Sequence, residues 1–254
     1  GQTPDPETGK TPLQVFMDGR AQAAYNHDKF ELWRHIKGGG DPVREFASQP
    51  GKVINGAYLN LTLDDYRRIG EWIDATLKEL DVWVVLMPVT EVPYPGVSVE
   101  EINPESKFYF VKGLQMVGNW ATAYMDDHQH LLVDVDTPQG KALMDNVLQG
   151  QAKFPNAYSR HLTLANALLR FSQPDVAQRG FEHAKQAFAL YATQASAMKL
   201  AYEATRHPTL VQPATAVLQE YLDDFLDHHA QYAREAGYAP RLLCLLYTSD
   251  AADE

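Results

Sequence analysis

The densest collection of chemically capable side chains is Asp126-Asp127-His128-Gln129-His130, at the head of the run His130-Leu-Leu-Val-Asp-Val-Asp136. Carboxylates and imidazoles at this spacing offer two kinds of chemistry. On an extended chain, alternate residues point the same way, so Asp126, His128 and His130 would share a face and could hold a divalent metal. Alternatively, Asp127 and His130 could act as a carboxylate–imidazole pair. A third reading needs no chemistry: a polar turn leads into a strand, with solvated Asp and His at its mouth. That is the simplest of the three.

Both chemical readings have a counterpart among known families. Asp126-x-His128-x-His130 resembles the first-strand metal motif of amidohydrolase-type barrels, which implies a metal-dependent hydrolase with these residues as ligands. Asp127-x-x-His130 resembles the last block of SGNH-type hydrolases and acyltransferases, which implies an Asp–His pair serving a Ser on an early strand. The chain after Asp136 reads as helices, whereas a barrel would need repeated βα units. No Gly-Asp-Ser block precedes the pair; the nearest spelling is Asp18-Gly19-Arg20.

A second cluster, Glu220, Asp223, Asp224, Asp227, His228 and His229, falls near the end of the chain. Glu220, Asp224 and His228 follow at four-residue steps and share a helix face. The Glu-x-x-His pairs of carboxylate-bridged metal bundles are absent, so a solvated acidic face is expected. His161 and His183 each read as a lone histidine on a helix. Gly9-Lys10-Thr11 spells the end of a phosphate loop, but Pro4 stands where the first glycine is needed.

The elements that must position these residues are legible from caps and periods. Residues 1–10 are polar and aperiodic, a linker or frayed end. A helix is predicted from Thr11-Pro12 to Ile36, stopped by Gly38-Gly39-Gly40, with 41–60 irregular. Thr62 caps the clearest early helix, with Asp64 and Asp65 in its first turn and Ile69, Trp72, Ile73, Leu77 and Leu80 on one face. It feeds Val82 to Met87, which reads as a strand buried on both faces, as in an α/β unit. A Pro-rich loop follows over 88–106. Residues 107–125 fit strands or a helix. Residues 130–136 read as a strand, and Thr137-Pro138 opens a helix ending near Gly150. From Ala157 the chain is helical. Its consecutive helices are loosely like tetratricopeptide repeats in layout, without the clean period of about 34 residues that family shows.

Composition narrows the function. The chain has 22 Lys and Arg against 33 Asp and Glu, a net charge of −11. Its densest basic stretch is only Tyr66-Arg67-Arg68, so no nucleic-acid partner is expected. The longest apolar run, Val82 to Met87, is far too short to span a bilayer. The single cysteine, Cys244, opens the segment CLLYTSDAADE, which resembles one reading frame of the transposase-end adaptor used in short-read library preparation. Residues 241–254 are therefore expected to be a non-native, disordered tail. Without Cys244 there is no disulfide, thiolate nucleophile or Cys-ligated metal.

The sequence thus predicts an α/β (or α+β) portion over 11–150, followed by an all-α helical-hairpin portion over 151–240. The expected role is a non-catalytic protein interaction through the C-terminal helices. The alternatives are an SGNH-type hydrolase using Asp127 and His130, then a metal-dependent hydrolase using Asp126, His128 and His130. No cofactor is expected outside that last case.

Overall fold

The computed structural model describes residues 27–54, 58–88, 108–190 and 195–227. The predicted helix over 11–36 is seen from His27, as α1 (His27–Lys37). It stops at the glycines, as expected. Gly39 takes a left-handed φ of 88°, and a Cβ on Gly40 would meet the Trp72 ring at 2.1 Å. The chain then re-enters a helix at once, α2 (Gly40–Ala47), where irregular structure was expected. Eight residues with Val43 and Phe46 inward are too few to print a clear period. A two-residue hairpin, β1 (Val53–Ile54) with β2 (Tyr58–Leu59), completes this stretch.

Helix α3 (Leu63–Glu79) begins where the sequence placed it. The Thr62 hydroxyl accepts from the Asp65 amide at 3.2 Å, and Asp65 Oδ2 accepts from the Thr62 amide at 2.7 Å. That reciprocal pair is a capping box. Lys52 also bonds the Asp65 carboxylate, tying the hairpin to the helix start.

Strand β3 (Val84–Pro88) follows α3, but the α/β unit does not form. The ambiguous stretch 107–125 is both a helix and a strand: α4 (Phe108–Val117), then β4 (Trp120–Met125). With β5 (Gln129–Asp134) these make a three-stranded sheet in the order β3-β5-β4, every pair antiparallel. β3 is therefore an edge strand, and Leu86 is 54% exposed. The expectation of a strand buried on both faces is corrected to an antiparallel edge strand. The run read as fully buried because helices cover both faces of its first half. Val85, Met87, Leu132 and Trp120 pack with Ile69, Ile73 and Leu77 of α3 and Phe110 and Leu114 of α4. On the other face, Val84, Ala123 and Val133 meet Met144 and Val147 of α5 (Pro138–Leu148), and Leu164 and Ala167 of α6 (Ala157–Leu168).

Thr137 caps α5, its hydroxyl accepting from the Gly140 amide at 3.1 Å, with Pro138 in the first turn. After α6 come α7 (Pro174–Leu190), α8 (Ala195–Ala204) and α9 (Val211–Asp227), each packed on the helix before it. Small residues allow close packing here: Ala165, Ala177, Ala184, Ala197, Ala204 and Ala214 are buried around Leu162, Phe181 and Leu200. The chain is thus a mixed helix-and-sheet fold followed by helices. No helix among the described residues is long and apolar enough to cross a membrane. The predicted Pro-rich loop and tail lie outside the described residues.

Helices α3 and α4 approach most closely at Gly70 and Gly113, where a Cβ on Gly70 would meet the Gly113 carbonyl oxygen at 2.0 Å. Backbone cannot yield as a flexible side chain can, so Gly70→Ala must push the helices apart. The expected loss is about 1–3 kcal/mol in urea unfolding, the range for overpacked cores. An unchanged midpoint would contradict this contact.

Candidate functional site

Strands β4 and β5 are joined by a tight turn over Asp126 to His128, and this turn disperses the sequence cluster. Asp126 Oδ1 accepts from the amides of His128 and Gln129, both at 2.7 Å, and Oδ2 accepts from the Tyr124 hydroxyl at 2.6 Å. Burial pushes this carboxyl up, but these three donors hold it below the usual carboxylate range. Asp126 is thus engaged in shaping the turn. Tyr124 is pushed up to about 12, by burial and by Asp126. Asp127 Oδ1 accepts from the Tyr158 hydroxyl of α6 at 2.9 Å. His128 stands exposed at the turn, because the strand begins only at Gln129. His130 points inward and is 5% exposed.

The side chains expected to act together are therefore not brought together. Asp127 is bonded to Tyr158, and His130 to Thr122. His128 and His130 sit in different environments, one solvated and one interior. Among the described residues no three His, Cys, Asp or Glu side chains are grouped to hold a metal. In the C-terminal acidic cluster, Glu220 and Asp223 are exposed, and Gln219 Nε2 donates to Asp223 Oδ1 at 2.8 Å. His228 and His229 lie outside the described residues.

His130 instead joins a buried relay that the sequence did not suggest. Its Nε2 lies 2.7 Å from Thr122 Oγ1, and that oxygen lies 2.6 Å from Asn166 Oδ1 of α6. A hydroxyl has one proton. Donated to the Asn166 carbonyl oxygen, it leaves Thr122 to accept, so His130 carries its proton on Nε2. A register shift between Thr122 and Tyr124 bends β4 beside this contact. Burial, and then the charges of Lys199 and Arg170, push His130 down to about 3, so the imidazole is neutral at ordinary pH.

His130 and Asn166 also line a cleft of about 370 Å3 between α4, the β4–β5 hairpin, α6 and α8. Its charged residues are unusual for so acidic a chain: among the described residues, Lys112, Arg170, Lys199 and Arg206, against the single carboxylate Glu203. Glu203 is taken by Arg206 at 2.8 Å. Arg170 donates to the backbone carbonyls of Trp120, at 2.6 Å, and Gln115, at 3.0 Å. Lys112 Nζ lies 4.8 Å from the centre of the Tyr66 ring. His207 Nε2 donates to the Leu169 carbonyl at 2.6 Å. Among the described residues no carboxylate lies within 4 Å of the charged nitrogens of Arg170 or Lys199. Burial, and then the charge of Arg206, hold Lys112 below the usual amine range. Lys199 is lowered chiefly by burial, with Lys112 and Arg206 adding to the effect against the pull of Glu203.

Two further groupings were missed in sequence. His161 and His183 face each other across α6 and α7 with Nδ1 atoms 3.0 Å apart, and both are lowered, first by burial and then by neighbouring charge that includes Arg160. A hollow of about 240 Å3 beside α1 and α2 is lined by Glu31, Arg34 and His35 among others. Arg34 pairs there with Glu31 and His35 with Asp41, and Lys37 and Arg44 also line it.

Two measurements test the relay. Thr122→Val removes the hydroxyl at constant shape and leaves buried polar atoms on both neighbours; the expected cost is about 1–3 kcal/mol. A cost near zero would rule the relay out. The second is pH. Above about pH 6.5 the imidazole is neutral both folded and unfolded. Between there and about pH 3 the unfolded chain takes up a proton that folded His130 refuses, so stability falls as pH drops. The His130 contribution to that slope is at most about 1.4 kcal/mol per pH unit. His130→Gln should flatten the slope between pH 6 and 4, and parallel curves would mean that His130 is not buried neutral.

The chain matches no family model, no curated protein and no solved structure, so what it does is to be read from the cleft itself.

Proposed function

We propose that this chain is a non-catalytic binding module whose cleft takes a small organic or inorganic anion through carboxylate or phosphate oxygens. One observation carries this reading. Among the described residues, Lys112, Arg170, Lys199 and Arg206 line one cleft with the single carboxylate Glu203, which pairs with Arg206 and leaves Arg170 and Lys199 with no carboxylate within 4 Å, in a chain of net charge −11. Like charges that outnumber the counter-charge beside them repel one another, and a bound anion relieves that repulsion. Lys and Arg are also the residues that carboxylates and phosphates bond most strongly. The interaction role expected of the C-terminal helices is kept, since Arg170, Lys199, Glu203 and Arg206 all come from that half. The partner becomes a small molecule, because a cleft of this volume suits one.

Two features favour binding over catalysis. A base that titrates at about 3 is poorly matched to proton abstraction near neutrality, where the best catalytic groups titrate close to the working pH. Thr122, the only hydroxyl bonded to His130 among the described contacts, is fully buried and does not line the cleft.

Calorimetric titration and thermal melting with phosphate, sulfate and citrate test the reading. At a ligand concentration of about 100 Kd, stability should rise by about 2.7 kcal/mol. Lys199→Glu should weaken binding at least tenfold. Lys141→Glu, on the exposed face of α5, should leave it unchanged. Equal responses from wild type and Lys199→Glu would sink the proposal.

A further inference from the structure

Resting on the anion-binding reading of this cleft, the geometry points to an amphipathic ligand: a carboxylate or phosphate head carrying a short, unbranched apolar tail. The cations do not line the cleft alone. Val111, Met116, Met125, Leu169 and Leu200 share it, and Leu63 stands at its rim, 61% exposed. Val111, Met125, Leu169 and Leu200 are themselves buried, so they form a packed apolar wall. Two polar groups beside that wall, His130 and Asn166, offer no charge. His130 is neutral and bonded to Thr122, and Asn166 Oδ1 is bonded to the same hydroxyl.

Head and tail have separate places. Arg170 is pinned by two backbone carbonyls, so its guanidinium is held ready at one side of the cleft. Lys112 and Lys199 carry flexible stems that can cover an apolar tail while their ammonium groups meet the head. Met116 and Met125 add unbranched, adaptable surface of the kind that accepts tails of varied shape. A hydrated inorganic anion would satisfy the cations but make no use of this wall. A tail set against it leaves water, and each methylene so buried strengthens binding about three- to fourfold.

The experiment is a chain-length series in two arms, each kept below the aggregation threshold: acetate, butyrate, hexanoate and octanoate, and inorganic phosphate, butyl phosphate and hexyl phosphate. Affinities are read by calorimetry. The expected result is a gain of about three- to fourfold per methylene until the tail outgrows the cleft. Whichever arm binds more tightly at equal tail length identifies the head. Met116→Gln, at a half-buried position, should flatten the chain-length dependence, weakening hexanoate and octanoate more than it weakens inorganic phosphate. If phosphate and citrate bind in a Lys199-dependent way but affinity does not rise with tail length, the amphipathic inference fails and the anion reading stands. If no anion binds at all, both fail. If tail length matters equally in Lys199→Glu, binding is through grease alone and the head assignment falls.

Discussion

An antiparallel sheet of three strands has two open edges, and the rest of this structure depends on how one of them is closed. Helix α6 lies along β4. The Met125 amide donates to Thr163 Oγ1 at 2.9 Å, and Arg170 donates to the Trp120 carbonyl at 2.6 Å. Thr163 can accept because its own proton goes to the Ser159 carbonyl, 2.7 Å away within the helix. Covering an edge with a helix protects it from pairing with another chain. Here it also commits α6 to three tasks. Leu164 and Ala167 face the sheet core, Leu162 and Ala165 face the helical core, and Asn166 and Arg170 face the cleft. The cleft is thus a direct consequence of edge closure. α4 walls it from the sheet side, and α8, stacked beside α6, walls it from the helical side.

The opposite side of the sheet is held by a polar knot. Asp74 of α3 accepts from Trp120 Nε1 at 2.8 Å and Asn119 Nδ2 at 2.9 Å, and pairs with Lys78 at 3.0 Å. Asn119 also donates to Asp134 Oδ1 at 3.1 Å, and Lys78 lies 3.8 Å from Asp134 Oδ2. Asp134 is fully buried at the end of β5, with its Oδ2 lacking a hydrogen bond. A buried carboxylate of this kind is tolerated only with charge nearby, and Lys78 supplies it. The result is directional. Removing the charge of Lys78 would strand Asp134, so the knot fixes where α3 must sit on the sheet, and with it the position of α4 on the cleft wall.

What could be read in the sequence was what is decided locally. The caps at Thr62 and Thr137 were legible because a side chain and an amide three residues on settle them. The break at Gly38-Gly39-Gly40 was legible for the same reason. The sheet was not. Val82 to Met87 reads as a doubly buried strand because helices cover both faces of its first half, but its antiparallel pairing with β5 is a long-range fact that no spacing records. The Asp126–His130 cluster drew notice by composition. Its carboxylates went to the turn and to Tyr158, and only His130 faces the cleft. Thr122 and Asn166, which hold His130, are single polar residues in apolar stretches and gave no pattern. Lys112, Arg170, Lys199 and Arg206 were invisible as a group, since they come from separate segments. A search for consecutive basic residues finds only Arg67 and Arg68, and these point to Asp64 and Glu45.

The contrast between the acidic chain and its basic cleft has a physical consequence of its own. At physiological salt, charges more than about 8 Å apart are largely screened, so an anion inside the cleft responds to the four nearby cations rather than to the net charge of the chain. A long polyanion cannot be accommodated in a recess of about 370 Å3 and would have to lie across the surface of a chain whose net charge is −11. On the anion-binding proposal, the cleft would thus favour a small anion over an extended one. On that proposal, selection by size and charge needs no dedicated specificity residue: it would follow from gathering four cations around one cleft of an acidic chain.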